Sequence, residues 1–292
     1  ANRLVDFLTK PNQPLFNRVI AGLYAPGSTI KPLVAAAALK EKIIDTKKEI
    51  FSAGYIEIPN PYNPSQPSIF LDWKPHGWVN LYSALARSSN VYFYALGGGW
   101  EDVKGLGISK IREYWQRFGL GSATNIDLAG EKRGFLPESS LNWRLGDTYN
   151  VSIGQGDLLV TPLQLLNYIT AVANRGKIFE PRIAKTEPKL LKNLSDLQEI
   201  FLEVEKGMVD ATQQSYGTAY LLHDLPFTVA AKTGTAQIDY NAKINALFVG
   251  YGPVPKPQIA VLVLVENARE GSINTIPIAK DVFEWYYENR IK

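Results

Sequence analysis

Cysteine is absent from this sequence, and histidine occurs only at His76 and His223. The absence of cysteine excludes disulfides and any metal or redox site built on thiolates. Neither histidine lies in a motif typical of a Ser-His-Asp triad. If the chain is an enzyme, we therefore expect a side chain other than histidine to serve as its base.

The sequence also lacks features that would indicate membranes or nucleic acid. It has no run of about 18 apolar residues, so no segment is predicted to cross a bilayer. The formal net charge is only +3, which gives no argument for a nucleic-acid partner. Its 292 residues, 46% of them hydrophobic, are ordinary for a large globular domain. The chain begins Ala1-Asn2-Arg3, with neither Met nor a signal peptide, so we expect it to be an excised fragment.

Proline, glycine and hydrophobic periodicity predict the helices. Proline is tolerated only in the first turn of a helix, so Pro32 predicts a helix that begins near Ser28 and runs to residue 40. A second helical run is predicted at 80–96, with an interruption at residues 87–90. Further helices are predicted at 109–118, 161–174, 195–214 and 277–290.

The strands are predicted to cluster at the end of the chain. Three β-rich runs separated by short turns indicate antiparallel pairing, and they cover residues 227–237, 244–251 and 258–266. A β-prone run occupies residues 14–24, and the Pro- and Gly-rich stretch 52–78 is predicted to be a long loop. Helices first and strands last predict an α+β fold.

The first chemical motif is Ser28-Thr29-Ile30-Lys31, the only S-x-x-K in the chain. At this spacing on a helix, the Ser28 hydroxyl and the Lys31 amine share one face. A desolvated lysine can take the proton of a serine nucleophile once its pKa has fallen from about 10.4 to near 7. The Ser28 N–H, at a helix start, could also hold an oxyanion. A capping serine beside a surface lysine would give the same pattern.

The second motif is Ser88-Ser89-Asn90, an S-x-N that also occurs at 140–142 and 272–274. Ser88 is preferred because polar residues there interrupt an apolar helical run. In this interpretation Ser88 relays a proton and Asn90 binds a substrate amide. An ordinary turn between helices is the alternative.

The third motif is Lys232-Thr233-Gly234-Thr235, the only K-T-G in the chain. On a strand, Lys232 and Gly234 point to one face. Glycine inside a strand often marks the close approach of a ligand. Lys232 would supply a second cation and bind a substrate carboxylate, and the Thr235 N–H would complete an oxyanion hole. A glycine-containing strand with a snorkelling lysine is the alternative.

The three motifs, in this order, are the set found in β-lactamases and penicillin-binding proteins. Longer segments extend the match, namely NRVIAGLYAPGSTIKP (17–32), SIGQGDLLVTPLQLLNYITAVANRG (152–176), AAKTGTAQ (230–237) and ALFVGYGP followed by IAVLVLVEN. On these segments the chain resembles class B penicillin-binding proteins over nearly its whole length. DWKPHGWVNL (72–81) followed by SSNVYFYALG (88–97) most resembles their elongation type, penicillin-binding protein 2.

The resemblance implies a five-stranded antiparallel sheet flanked by helices on both faces. It implies that residues 1–292 form one catalytic domain, without the membrane anchor and pedestal domain of the family, at the periplasmic face of the membrane. It also implies a D,D-transpeptidase that acts on peptidoglycan stem peptides and is trapped by β-lactams. The implied partners are a membrane glycan polymerase and cell-shape scaffold proteins.

The resemblance also implies residue roles. Ser28 would be the nucleophile and Lys31 the base. Ser88, Asn90 and Lys232 would complete the catalytic set, and the implied substrate-binding residues are Thr233, Gly234 and Thr235. Some elongation-type relatives bind a metal near the second motif, where Asp72 and His76 are the only obvious ligands here. We therefore predict no metal and no cofactor.

Two other functions remain possible on the sequence alone. Glu138-Ser139-Ser140-Leu141-Asn142 matches the E-x-x-L-N of class A β-lactamases, whose glutamate activates the deacylating water. However, the surrounding GFLPESSLNW resembles a transpeptidase segment, so we expect Glu138 to be an exposed loop residue. The other alternative is a β-lactam sensor domain, which is acylated without turnover.

Overall fold

The computed structural model describes residues 10, 13–60, 63–238, 243–268 and 271–292. In these ranges the chain adopts an α+β fold, as its sequence predicts. The α-helices are α1 (Arg18–Ala21), α2 (Lys31–Lys40), α3 (Leu81–Arg87), α4 (Asn90–Gly98), α5 (Gly107–Arg117), α6 (Leu145–Ser152), α7 (Pro162–Ala173), α8 (Gln198–Gln213) and α9 (Gly271–Tyr286). The strands are β1 (Ile50–Ser52), β2 (Tyr55–Ile58), β3 (Ser68–Leu71), β4 (Gly77–Val79), β5 (Lys177–Phe179), β6 (Leu190–Asn193), β7 (Ala230–Gln237), β8 (Ile244–Gly252) and β9 (Ile259–Ala268).

The largest sheet in the described ranges is antiparallel and has the order β7-β8-β9. Lys232 of β7 lies opposite Val249 of β8, and Gly250 of β8 lies opposite Val261 of β9. The predicted pairing of the last three β-rich runs is confirmed. The predicted sheet of five strands is wrong for the described residues, whose other sheets each have two strands.

Two local predictions of secondary structure are wrong. The run 14–24 does not join the large sheet, because it forms the short helix α1 and a single bridge between Tyr24 and Val160. The backbone of Tyr24 pairs with Val160, far along the chain, so the pairing of this run depends on a distant segment. The stretch 52–78, predicted as a loop, instead contributes to two short antiparallel pairs, β1–β4 and β2–β3.

Helices cover both faces of the three-stranded sheet. On one face, Ile276 and Phe283 of α9 pack against Phe248 and Val261. Alternate residues of β8, including Val249, point to the other face and join the main core, which α8 and α2 share. Because both faces are covered, the strands read as nearly continuous apolar runs rather than as polar–apolar alternation.

The helix predictions hold best where a capping residue or a proline fixes the start. Thr161 caps α7 in a reciprocal pair with Gln164, and Pro162 follows at the first helical position. The last helix is the exception, because it begins at Gly271 and Pro277 lies inside it rather than at its start. No helix in the described ranges combines the length and apolar character needed to cross a membrane.

Candidate active site

Ser28 lies in a 3₁₀ turn, Gly27–Ile30, that leads directly into α2. Gly27 has φ of 52°, and its N–H donates to the Gly154 carbonyl at 2.9 Å. The Thr29 hydroxyl donates to the Pro26 carbonyl at 2.6 Å. The turn is therefore fixed from both sides, and its half-buried Ser28 faces a cavity of about 350 Å³.

This cavity brings together all three sequence motifs. Six of the predicted site residues line it, namely Ser28, Ser88, Asn90, Thr233, Gly234 and Thr235. The two predicted lysines, Lys31 and Lys232, are fully buried beside it. A larger cavity of about 1010 Å³ lies elsewhere, between α2, the loop before β1 and α8, and contains none of the motif residues.

The Lys31 amine is held by the second motif. Its Nζ donates to the Ser88 carbonyl at 2.8 Å, to the Asn90 Oδ1 at 2.7 Å and to the Ser89 carbonyl at 3.3 Å. The amine also lies 5.3 Å from the centre of the Phe93 ring. Burial lowers the pKa of Lys31 to about 7, although the nearby charge of Asp72 opposes that shift.

Ser88 occupies the break between α3 and α4, in the left-handed conformation with φ of 58°. A non-glycine residue with this φ is uncommon and pulls the chain out of the helical path. The Ser88 hydroxyl consequently lies between the two buried amines, 3.4 Å from the Lys31 Nζ and 2.8 Å from the Lys232 Nζ. The Lys232 Nζ also donates to the Thr233 carbonyl at 2.9 Å.

Two buried amines around one hydroxyl resist carrying two positive charges. Burial holds the pKa of Lys232 well below its usual value, and the charge of Lys31 lowers it further. The sequence-based expectation that burial would lower the pKa of Lys31 is confirmed in direction. Of the two lysines, it is Lys232 whose pKa is lowered by the charge of the other.

Strand β7 is an edge of its sheet in the described residues, and its free side meets the Ser28 turn. A Cβ on Gly234 would lie 2.8 Å from the Thr29 methyl, and a Cβ on Gly27 would lie 2.6 Å from the Thr235 carbonyl oxygen. Neither glycine has room for a side chain, so the turn and the strand approach to backbone contact. The peptide of Thr235 faces the turn, and its carbonyl accepts from the Gln155 side chain at 3.1 Å.

The structure adds cavity residues that no short motif indicated. Thr218 lines the cavity, and its hydroxyl accepts from the Thr233 hydroxyl at 2.8 Å. Gln155 and Trp73 also line it. Gln155 and Trp73 fall in segments that carry the family resemblance, so a signal for them existed. Thr218 lies in an irregular segment between α8 and β7 where the sequence offers none.

The possible metal ligands are too few in the described part of the chain. Asp72 and His76 are both buried, with the His76 Nε2 3.6 Å from the Asp72 Oδ1. No group of three or more histidine, aspartate or glutamate side chains that could hold a metal occurs there. Asp72 instead accepts hydrogen bonds from the residues of the second motif.

Glu138, the residue that would make the chain resemble a β-lactamase, lies away from the cavity lining. Its side chain is 71% exposed and pairs with Arg112 at 3.4 Å. The prediction that Glu138 is an exposed loop residue after Pro137 is confirmed. In this position its carboxylate cannot activate a water beside Ser28.

The arrangement of a serine at a helix start, a buried lysine, a second serine and a strand-borne lysine defines a class of serine acyl-transferase sites. Comparison with known families gives the same class. Residues 2–284 match the family described as the penicillin binding protein transpeptidase domain. The chain belongs to this family.

Within the family, the chain is similar to the group called penicillin-binding protein 2 (PBP2), or MrdA. It is 33% identical over 315 residues to the peptidoglycan D,D-transpeptidase MrdA of Acinetobacter baumannii, a match that covers 96% of this chain and 45% of that protein. The chain thus spans about half the length of the curated relatives it matches.

Two solved structures show the same similarity. Pseudomonas aeruginosa PBP2, in complex with WCK 5153, superposes with a TM-score of 0.85 at 32% identity, over 99% of this chain and 64% of that one. Helicobacter pylori PBP2, in its complex with MreC, superposes with a TM-score of 0.87 at 31% identity, over 100% of this chain and 54% of that one.

Proposed function

We propose that this chain is the catalytic part of a peptidoglycan D,D-transpeptidase. It would form an acyl-enzyme on Ser28 from a stem peptide ending in D-Ala-D-Ala and transfer the acyl group to an acceptor amine. The observation that carries this proposal is that Ser28 and Ser88 line one cavity and that two buried lysines contact the Ser88 hydroxyl beside it. Residues 1–292 would act as one catalytic domain, which the family match over 2–284 supports.

In the first half-reaction, neutral Lys31 takes the proton of the Ser28 hydroxyl. The Ser28 Oγ then forms a bond to the carbonyl carbon of the penultimate D-Ala. The bond from that carbon to the terminal D-Ala nitrogen breaks, and the departing amine receives the proton through Ser88. Ser88 is placed for this relay because its hydroxyl lies between the Lys31 and Lys232 amines.

The oxyanion of the tetrahedral intermediate would be held by two backbone N–H groups, those of Ser28 and Thr235. The packing of Gly27 against Thr235 supports this pairing, since it brings the turn and the strand to backbone contact. Preorganised donors of this kind are worth about 10²–10³-fold in rate each. The close approach requires glycine at Gly27 and Gly234, which explains the glycine in the third motif.

Substrate recognition would fall to the third motif and Asn90. The Asn90 side chain donates to a substrate carbonyl, and Thr233 and Thr235 border the place for the terminal carboxylate. Burial and Lys31 hold the pKa of Lys232 low in the free protein. A bound carboxylate would raise that pKa again, so Lys232 would become a cation when its substrate arrives.

In the second half-reaction, an amine takes the place of the departed D-Ala. Its nitrogen forms a bond to the acyl carbon, the bond to the Ser28 Oγ breaks, and the proton of the amine returns to Ser28. A β-lactam would enter the first half-reaction in the same way, but its opened ring stays attached and blocks the amine. The exposed position of Glu138 favours this outcome over the hydrolysis of a class A β-lactamase.

The sensor-domain alternative differs only in turnover. A sensor would be acylated but would transfer no peptide. Release of D-Ala from a stem peptide, with formation of an amide to an added amine, separates the two. We expect both products from this chain and neither from Ser28→Ala. Acylation by a β-lactam without either product would favour the sensor.

Localisation and partners follow the family resemblance. We propose that the domain works at the periplasmic face of the cell membrane, with a membrane glycan polymerase and a cell-shape scaffold protein as partners. The Helicobacter pylori relative, solved in complex with MreC, supports a scaffold partner.

A further inference from the structure

Asp72 lies next to the site, and its carboxylate accepts five hydrogen bonds from described residues. It lies between β3 and β4, and its side chain is completely buried. Its Oδ2 accepts from the Ser89 hydroxyl at 2.8 Å, from the Asn90 N–H at 2.8 Å and from the Val91 N–H at 3.1 Å. The Ser52 hydroxyl donates to the same oxygen at 3.2 Å. A buried carboxylate that accepts this many hydrogen bonds holds its donor groups in place.

Three of the four donors to Oδ2 belong to the segment that begins α4. Ser89 is the N-cap of this helix, and the N–H groups of Asn90 and Val91 have no partner within the helix because they lie in its first turn. Asp72 therefore binds the start of α4 from outside. This segment also carries the second motif.

Among the described residues, this segment provides every hydrogen-bond acceptor of the Lys31 amine. These are the Ser88 carbonyl, the Ser88 hydroxyl, the Ser89 carbonyl and the Asn90 Oδ1. A shift of the segment would move the amine with it. We propose that Asp72 is a positioning residue for acylation: it fixes the Ser88–Asn90 segment and, through it, the Lys31 amine. The inference rests on the proposed function of Ser28 and Lys31.

The charges around Asp72 support its role as a positioning residue. Burial raises the pKa of Asp72, but His76, the charge of Lys31 and the N–H groups of Asn90 and Val91 outweigh it, and the pKa lies well below its usual range. Asp72 is thus an anion throughout the neutral range. The charged groups near Lys31 are Asp72, which raises its pKa, and Lys232, which shares the Ser88 hydroxyl.

The test is Asp72→Asn, measured as the acylation rate by a fluorescent penicillin across pH. Both carboxylate oxygens of Asp72 accept hydrogen bonds, since the Trp73 N–H donates to Oδ1 at 2.9 Å. An amide must therefore turn its NH₂ toward a donor in either orientation. At about pH 9, Lys31 is neutral in both proteins, so the limiting rate there is free of differences in the protonation state of the base. We expect that limiting rate to fall about tenfold or more.

A second readout separates positioning from general destabilisation. Removing the anion should also lower the pH midpoint of acylation, because Asp72 raises the pKa of Lys31. Asp102→Asn is the matched control, since Asp102 is an exposed carboxylate paired with Lys48, and it should leave both the rate and the midpoint unchanged. A limiting rate equal to that of the parent in folded Asp72→Asn would overturn the inference, whatever the midpoint.

If Asp72→Asn does not fold, two serine variants test the inference instead. Ser89→Ala and Ser52→Ala each remove one hydroxyl from the same Asp72 oxygen, but only Ser89 belongs to the second motif. We expect Ser89→Ala to slow the limiting acylation and Ser52→Ala to change it by less than about threefold. Equal limiting rates in the two would overturn the inference. A parent that is not acylated at all would instead refute the proposed function.

Discussion

Lys31 and Lys232 approach the same oxygen, the Ser88 hydroxyl, from α2 and from β7, with Nζ–Oγ distances of 3.4 Å and 2.8 Å. Both amines are fully buried, and burial lowers the pKa of each. The site therefore holds its base in a form that is partly neutral near physiological pH. This arrangement determines how acylation should respond to pH and to substitution of either lysine.

The first prediction concerns the pH dependence of acylation. The pKa of Lys31 is lowered to about 7, so the amine loses its proton as the pH rises through that value. Only the neutral amine can accept the Ser28 proton. We expect the second-order rate of penicillin acylation to rise with pH, with a midpoint near 7, and then to level off. A rate that falls through the same range would show that the charged amine is the active form.

The second prediction separates the two lysines. Lys31→Ala should lower the acylation rate by about 10²–10⁴-fold, since that is the usual loss when a general base is removed. Lys40→Ala, at the exposed end of the same helix, is the control and should acylate like the parent. Parental acylation in a folded Lys31→Ala protein would refute the assignment of the base.

Lys232→Ala should act on recognition as well as rate, because we expect Lys232 to become cationic when it meets the substrate carboxylate. The variant should therefore discriminate less between a stem peptide with a free terminal carboxylate and its terminal amide. The ratio of the two acylation rates, in parent and variant, measures this effect. An unchanged ratio would remove Lys232 from carboxylate binding.

The third prediction concerns the lifetime of the acyl-enzyme. Glu138 is exposed and paired with Arg112, so no carboxylate from this motif reaches the ester. We expect the penicilloyl adduct to persist equally in the parent and in Glu138→Ala, as followed by intact mass over time. Rapid loss in the parent that the substitution abolishes would identify a β-lactamase.

The fourth prediction tests the packing beneath Ser28. Gly154 has φ of 77°, and a Cβ there would lie 2.1 Å from the Gly27 carbonyl oxygen. Gly119 has φ of 85° but no atom within 4 Å of a built Cβ, which makes it a matched control. Both alanine variants should lose about 1–2 kcal/mol of folding stability, because alanine must adopt the left-handed backbone conformation there. Gly154→Ala should cost about 1–3 kcal/mol more by overpacking, and it should also slow acylation.

The two glycine variants are compared by denaturant unfolding and by penicillin acylation. Gly119→Ala should lose stability without losing acylation relative to the folded fraction. Equal effects of the two substitutions on both measurements would show that the contact between Gly27 and Gly154 does not shape the site.

The local signals in the sequence predict the site better than they predict the sheet. Pro32 fixes the start of α2, and with it the position of Ser28 and Lys31 one turn apart. The polar break at residues 87–90 is visible because a core helix does not tolerate unpaired polar groups. Both features depend on a few neighbouring residues, so sequence alone reveals them.

The features that the sequence did not predict correctly depend on contacts between distant segments. Whether the run at 14–24 joins a sheet depends on partners distant in the chain, and Tyr24 pairs with Val160 instead. The contacts of Thr218 with Thr233 and of Asp72 with Asn90 also join separate segments. No periodicity in either segment encodes such a contact. For the same reason, the sequence named Asp72 only as one of two possible metal ligands, too few to predict a metal, whereas the structure shows it binding the start of α4.

The most direct test of the central claim, that Ser28 is the nucleophile, is the location of the covalent adduct. The protein is incubated with penicillin, digested and analysed by mass spectrometry, with Ser28→Ala treated in parallel. We predict a penicilloyl group on the peptide that contains Ser28, and none in the variant. An adduct on Ser88 or Ser140, or an adduct that survives in Ser28→Ala, would contradict this claim.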